Sequence, residues 1–239
     1  MGRLDGQTVV VLGGSAGMGL ETARLARAEG AEVAITGRNE DRLKQAAAEV
    51  DAFRTAAFDA TNPVQLNQFF TDFSGQIDHV FVTAGGPYYG LLKDLDLENA
   101  RKHIGMALTL PLHIGRSAIG KVNGSLTFIG GTGARRPGPG LIVTSAMTNA
   151  QPSLIAGLAI EIAPIRVNLI AAGFVDTPLS ARLLGDDLEK RRQQLRDTLP
   201  IGRVVGPEDV AALAVHLMTN TALTGATYDI DGGQQFVPR

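Results

Sequence analysis

The chain has 239 residues, no cysteine, 44% hydrophobic and 19% charged residues, and a net charge of −2. That balance excludes the basic footprint a nucleic-acid groove requires, and the absence of thiols excludes disulfides and thiol catalysis. The apolar run at Val9–Leu12 is too short for a signal peptide or membrane span, and Gly6 stands where myristoylation needs Ser or Thr. A cytoplasmic protein that binds neither membrane nor nucleic acid is expected.

In chain order, TVVVL (8–12) reads as a first strand and leads directly into LGGSAGMGLETARLA, a glycine-rich turn opening a helix. EVAIT (32–36) is the second strand, and Leu43, Ala47 and Val50 then mark one face of a helix. RTAAF (54–58), HVFVTA (79–84), SLTFI (125–129), RVNLIA (166–171) and ATYDID (226–231) complete the candidate strands. They are continuous apolar runs, as strands covered on both faces should be. RRPGPG (135–140) reads as a loop, and Gly206-Pro207-Glu208-Asp209 as a helix start. The polar, helix-patterned segment 178–199 is expected as a substrate-loop insertion over a cleft.

Strand–helix alternation throughout predicts an α/β fold. The expected form is a single Rossmann-type, doubly wound parallel sheet of about seven strands with helices on both faces, one domain over 1–239.

Gly13, Gly17 and Gly19 have the spacing of a dinucleotide-binding turn, in which glycines permit a sharp bend and let backbone N–H groups approach a pyrophosphate. Met18 lies within the same turn. An acid at the end of the second strand would hold the ribose of NAD; here the residues are Gly37 and Arg38. A guanidinium at Arg38 matches a 2′-phosphate through charge-assisted bonds, and Ser15 adds a hydroxyl donor. NADP(H) is therefore expected in preference to NAD(H). With four histidines, no cysteine and no ligand-like spacing, no metal site is expected.

With GGSAGMG (13–19), Asp59-Ala60, Thr83-Ala84-Gly85, IRVNLIAAGFVDTPL (165–179), GRVVGPEDVAALAVHLM (202–218) and TGATYDIDGG (224–233), the chain resembles the short-chain dehydrogenase/reductase family over nearly its whole length. The resemblance implies that Asp59 and Ala60 contact adenine, and that Ala84 and Gly85 line the adenosine ribose. It further implies that Thr177 bonds the nicotinamide carboxamide, although Ala172 replaces the family's proline, and that the chain is a homo-oligomer, a tetramer or dimer, paired through its final strand and tail.

The same resemblance implies a catalytic tetrad of asparagine, serine, tyrosine and lysine. In this sequence the four positions fall at Ala107, Gly131, Thr144 and Thr148. An aliphatic hydroxyl is far less acidic than a phenol, whose pKa lies near 10, and Thr148 carries no charge to lower it further. General acid–base catalysis, typically worth about 10²–10⁴-fold, is therefore lost at the usual place. Tyr89 and Lys93 have the right mutual spacing but follow the fourth strand rather than the fifth. Tyr88 or Tyr89 is a substitute acid if Arg135 or Arg136 lowers its pKa. His103 and His113 are expected at the surface or an interface. Two readings follow: an NADP(H)-dependent oxidoreductase of a small carbonyl or alcohol with a non-standard site, or a catalytically silent NADP(H)-binding sensor or partner subunit.

Overall fold

The computed structural model describes residues 2–237; Met1, Pro238 and Arg239, part of the expected 1–239 unit, lie outside the described residues. The strands are β1 (Thr8–Leu12), β2 (Glu32–Gly37), β3 (Arg54–Ala57), β4 (Ile77–Val82), β5 (Val122–Gly131), β6 (Arg166–Ala172) and β7 (Thr227–Ile230). They form one parallel sheet in the order β3-β2-β1-β4-β5-β6-β7. The helices are α1 (Gly17–Ala28), α2 (Glu40–Val50), α3 (Pro63–Thr71), α4 (Leu97–Ala118), α5 (Ile142–Glu161), α6 (Pro178–Leu184), α7 (Leu188–Thr198) and α8 (Pro207–Thr219). This is the Rossmann-type, doubly wound sheet the alternation predicts.

The period-two geometry of a strand explains the apolar runs. Val10 and Leu12 face one core with Phe69, Phe70, Leu110, Ile114 and Ile155 from α3, α4 and α5. Val9 and Val11 face the opposite core with Ala23, Leu43, Val210 and Val215 from α1, α2 and α8. Fully burying each large apolar side chain contributes roughly 1.5–3 kcal/mol, so both faces of β1 are selected for hydrophobicity.

The direction of winding reverses between β1 and β4, which opens a crevice at the C-terminal ends of these strands. β4 stops at Val82 because Thr83 turns its hydroxyl onto the carbonyl oxygens of Leu12 and Gly13, at 3.3 and 3.0 Å. β5 runs past the expected SLTFI to Gly131, pairing Gly130 with Ala171 and Gly131 with Ala172. Glycine's poor strand propensity conceals that extension. Segment 178–199 folds as α6, a 3-10 turn at Gly185–Asp187, and α7. Arg192 ties α7 to the preceding loop through two bonds to Asp176, at 2.9 and 2.8 Å. No helix among the described residues is long and apolar enough to cross a membrane.

Candidate functional site

The turn after β1 depends on its glycines. Gly13 and Gly17 have φ of +99° and +55°, and a Cβ on Gly19 would collide with the Gly13 carbonyl oxygen. The first-turn amides of α1 stay open: its N-cap is Ala16, with no side-chain cap and no acid in the first turn. By contrast Asn39, Asn62 and Asp96 cap α2, α3 and α4 with their side chains. An uncapped helix start on a glycine turn is a ready anion site.

Beside it, Ser15 packs against Gly37, where an added Cβ would lie 2.9 Å from Ser15 Oγ. An acid at position 37 would have to displace Ser15. Arg38 is exposed and makes no hydrogen bond or ion pair among the described residues, so its guanidinium is available to a ligand. Asp59 Oδ1 accepts from the N–H and hydroxyl of Thr61, at 3.0 and 2.8 Å, and Ala60 is buried. These residues fit a nicotinamide dinucleotide: a turn too tight for side chains, open amides, and an unpaired cation at the end of β2.

A cavity of about 660 Å³ opens where β4, β5 and β6 end. Met18, Ala84, Gly85 and Thr177 line it, and so do all four tetrad-equivalent positions: Ala107 on α4, Gly131 at the end of β5, and Thr144 and Thr148 on α5. Thr177 is buried and accepts the Ser180 N–H at 3.3 Å, capping α6. Pro111, four residues after Ala107, has no N–H to offer the Ala107 carbonyl, so α4 lacks that rung beside the cavity.

Neither threonine hydroxyl is free to donate a proton into the cavity. Thr144 Oγ1 donates to the Tyr88 carbonyl at 2.8 Å and accepts the Tyr88 N–H at 3.2 Å. Thr148 Oγ1 donates back along its own helix, 2.9 Å from the Thr144 carbonyl and 3.3 Å from that of Ser145. Both residues are buried.

The two candidate tyrosines part company. Tyr88 stacks on His103 at 4.8 Å between ring centres, donates its hydroxyl to the Asp96 carbonyl at 3.2 Å, and does not line the cavity. Tyr89 lines it while half exposed, and partial burial raises its phenol above the ordinary value. Arg135 is engaged by both oxygens of Asp229, at 3.0 and 2.9 Å, and does not line the cavity beside Tyr89. Lys93 is exposed beside Asp94 and does not line the cavity. His113 is exposed, whereas His103 is half-buried under Tyr88.

Among the polar lining residues that went unnoticed in the sequence are Gln151 and Arg191. Gln151 Oε1 is buried without a hydrogen-bond partner, pressed against Gly130, where a Cβ would lie only 2.5 Å away. Its place three and seven residues after Thr148 and Thr144, on one helix face, was the available signal. Arg191 on α7 also lines the cavity, but nothing in the run Lys190–Arg196 distinguishes it from its neighbours.

The fold, with an open glycine turn before α1, defines a Rossmann-type dinucleotide-binding architecture. A family model described as Enoyl-(Acyl carrier protein) reductase matches residues 13–235. Short-chain dehydrogenase/reductase ATR9 of Stachybotrys chlorohalonatus is 27% identical over 98% of both chains. Carbonyl reductase family member 4 of Xenopus tropicalis is 29% identical over 94% of this chain and 96% of that one. Among solved structures, the MalC Reductase/Diels-Alderase of Malbranchea aurantiaca superposes with a TM-score of 0.89 at 25% identity over 98% of both chains. BdcA in complex with NADPH superposes with a TM-score of 0.85 at 28% identity, over 97% of this chain and 96% of that one. The chain belongs to the short-chain dehydrogenase/reductase family, oxidoreductases that use a nicotinamide cofactor.

Proposed function

We propose that the chain is an NADP(H)-dependent oxidoreductase of small, largely apolar carbonyl or alcohol substrates, working without the family's usual proton donor. The observation that carries this reading is the cavity itself. It joins Thr177, where the resemblance places the nicotinamide carboxamide, and Met18 and Gly85 of the expected cofactor site to the four tetrad-equivalent positions within one mostly apolar space. When bound, the cofactor supplies the hydride, and the chain's part is to position, to exclude water and to choose the cofactor.

The glycine turn and open α1 amides support pyrophosphate binding, and Arg38 with Ser15 supports a 2′-phosphate; the NADPH held by the related BdcA is consistent with that choice. Asp59, Ala60 and Ala84 would frame the adenosine half. Thr177 would accept a bond from the carboxamide N–H. Tyr89 is the one tyrosine among the lining residues and, with solvent at its side, is the candidate acid.

A specific observation favours the second reading, a silent NADP(H)-binding sensor or partner subunit: both threonine protons at the catalytic positions are committed to main-chain carbonyls. NADPH oxidation across a broad carbonyl panel separates the two. Turnover that falls in Tyr89→Phe supports the first; tight NADPH binding with no turnover on any carbonyl supports the second. The homo-oligomer is part of the proposal: exposed Leu97, Ile104 and Leu112 on α4, and Phe236 near the C-terminus, are apolar surface for a second copy to cover. Light scattering measures the stoichiometry.

A further inference from the structure

We infer that Arg191 is an anion-binding residue of the cavity, and that the chain's ligand is an apolar molecule carrying a carboxylate or phosphate. The inference rests on reading the cavity as the substrate site.

Arg191 is the single charged residue lining the main cavity among the described residues. A smaller cavity of about 340 Å³ adjoins it, sharing Thr132, Gly133, Leu141, Gln234 and Arg191, and its charged lining residues are Arg136 and Arg191. Among the described residues no carboxylate lines either space. Three other arginines nearby are matched to acids, Arg192 to Asp176 and Glu189, Arg196 to Glu189, and Arg135 to Asp229, and Arg136 donates to the main-chain carbonyl of Gln234. Among the described residues Arg191 has the neutral amide oxygen of Gln194, at 2.7 Å, and the ring of Phe174, 6.0 Å from its guanidinium, and no acid.

This arrangement disfavours the cation until an anion arrives. Burial, and secondly the charge of Arg136, lower the Arg191 pKa from its ordinary value. A guanidinium keeps its proton regardless, so the cost is borne as an unsatisfied positive potential. The planar fork suits two oxygens of one group, and the surrounding apolar wall suits the body that carries it. Besides Arg191 on α7, the residues shared by the two cavities belong to the β5–α5 connection and the C-terminal 3-10 turn at Gln234–Phe236. The cofactor's own phosphates would instead lie on the Gly13–Gly19 turn and Arg38, so the anion read by Arg191 is the ligand's.

Calorimetric titration of NADPH-saturated protein with octanoate, octyl phosphate and methyl octanoate tests this. We expect at least one anion to bind about tenfold or more tightly than the neutral ester, and the better of the two identifies the group. Arg191→Gln should erase the preference, while Arg191→Lys should keep part of it. Equal binding of anions and ester, no binding of either anion to about 10 mM, or a preference that survives Arg191→Gln overturns the inference. NADPH affinity of the wild type and of Arg191→Gln is measured separately and should be equal. If wild-type protein fails to bind NADPH, the cofactor reading falls, and the same titrations on the free protein still decide the role of Arg191.

Discussion

Thr144 grips the backbone of Tyr88 from both sides, donating to its carbonyl at 2.8 Å and accepting its N–H at 3.2 Å. The position that carries the proton donor in the family resemblance here holds the loop after β4 against α5. We propose that chemistry has been exchanged for attachment at that place.

Thr144→Val tests the exchange. It keeps the shape and removes both bonds, leaving a part-buried carbonyl and amide without partners. We expect a loss of about 1–3 kcal/mol, read as a melting point lower by roughly 2–4 °C per kcal/mol for a chain of this size. NADPH affinity should hold. If stability is unchanged while turnover vanishes, Thr144 is a proton donor after all.

Cofactor choice is expected to lie in Arg38. Arg38→Ala should weaken NADPH by about tenfold to a hundredfold, the range for charge-assisted bonds, and leave NADH nearly untouched. Fluorescence titration of both cofactors gives the ratio. Equal losses for the two would assign Arg38 to something other than the 2′-phosphate.

Gly19→Ala should behave differently. The new Cβ meets the Gly13 carbonyl oxygen, so the turn must open, and both cofactors should be lost together. Retained binding of either would mean that the turn does not carry the pyrophosphate.

Far from the cavity, His79 sets a pH dependence. It is buried, with Nε2 2.8 Å from Gln7 Oε1 and Nδ1 2.8 Å from Ser125 Oγ. Gln7 Oε1 only accepts, so Nε2 carries the proton and Nδ1 accepts from the Ser125 hydroxyl. Burial, with the charge of Arg166 adding, holds the imidazole down at about 4. A free histidine titrates near 6.5, so between these values the unfolded chain binds more protons and stability falls as pH falls. By pH 5 the loss relative to pH 8 should be about 2 kcal/mol from this group. Urea denaturation of wild type and His79→Gln at the two pH values isolates it. An identical pH dependence in both proteins would remove His79 as the cause.

The sheet and the glycine turn before α1 were legible locally, because their causes are local. A strand buried on both faces must be apolar at every position, as TVVVL is, and a pyrophosphate turn must place glycine where φ is positive or backbones touch, as at Gly13, Gly17 and Gly19. The sequence alone also showed that Ala107, Gly131, Thr144 and Thr148 supply none of the usual catalytic groups. Only the tertiary structure decided which bonds the Thr144 and Thr148 hydroxyls make. Where a hydroxyl sends its proton depends on a partner such as Tyr88, 56 residues away in the chain. The same holds for cations. Arg191 and Arg192 are adjacent and alike in sequence, yet one turns to Asp176 and the other to an uncharged cavity, a difference set by which side of α7 faces the crevice.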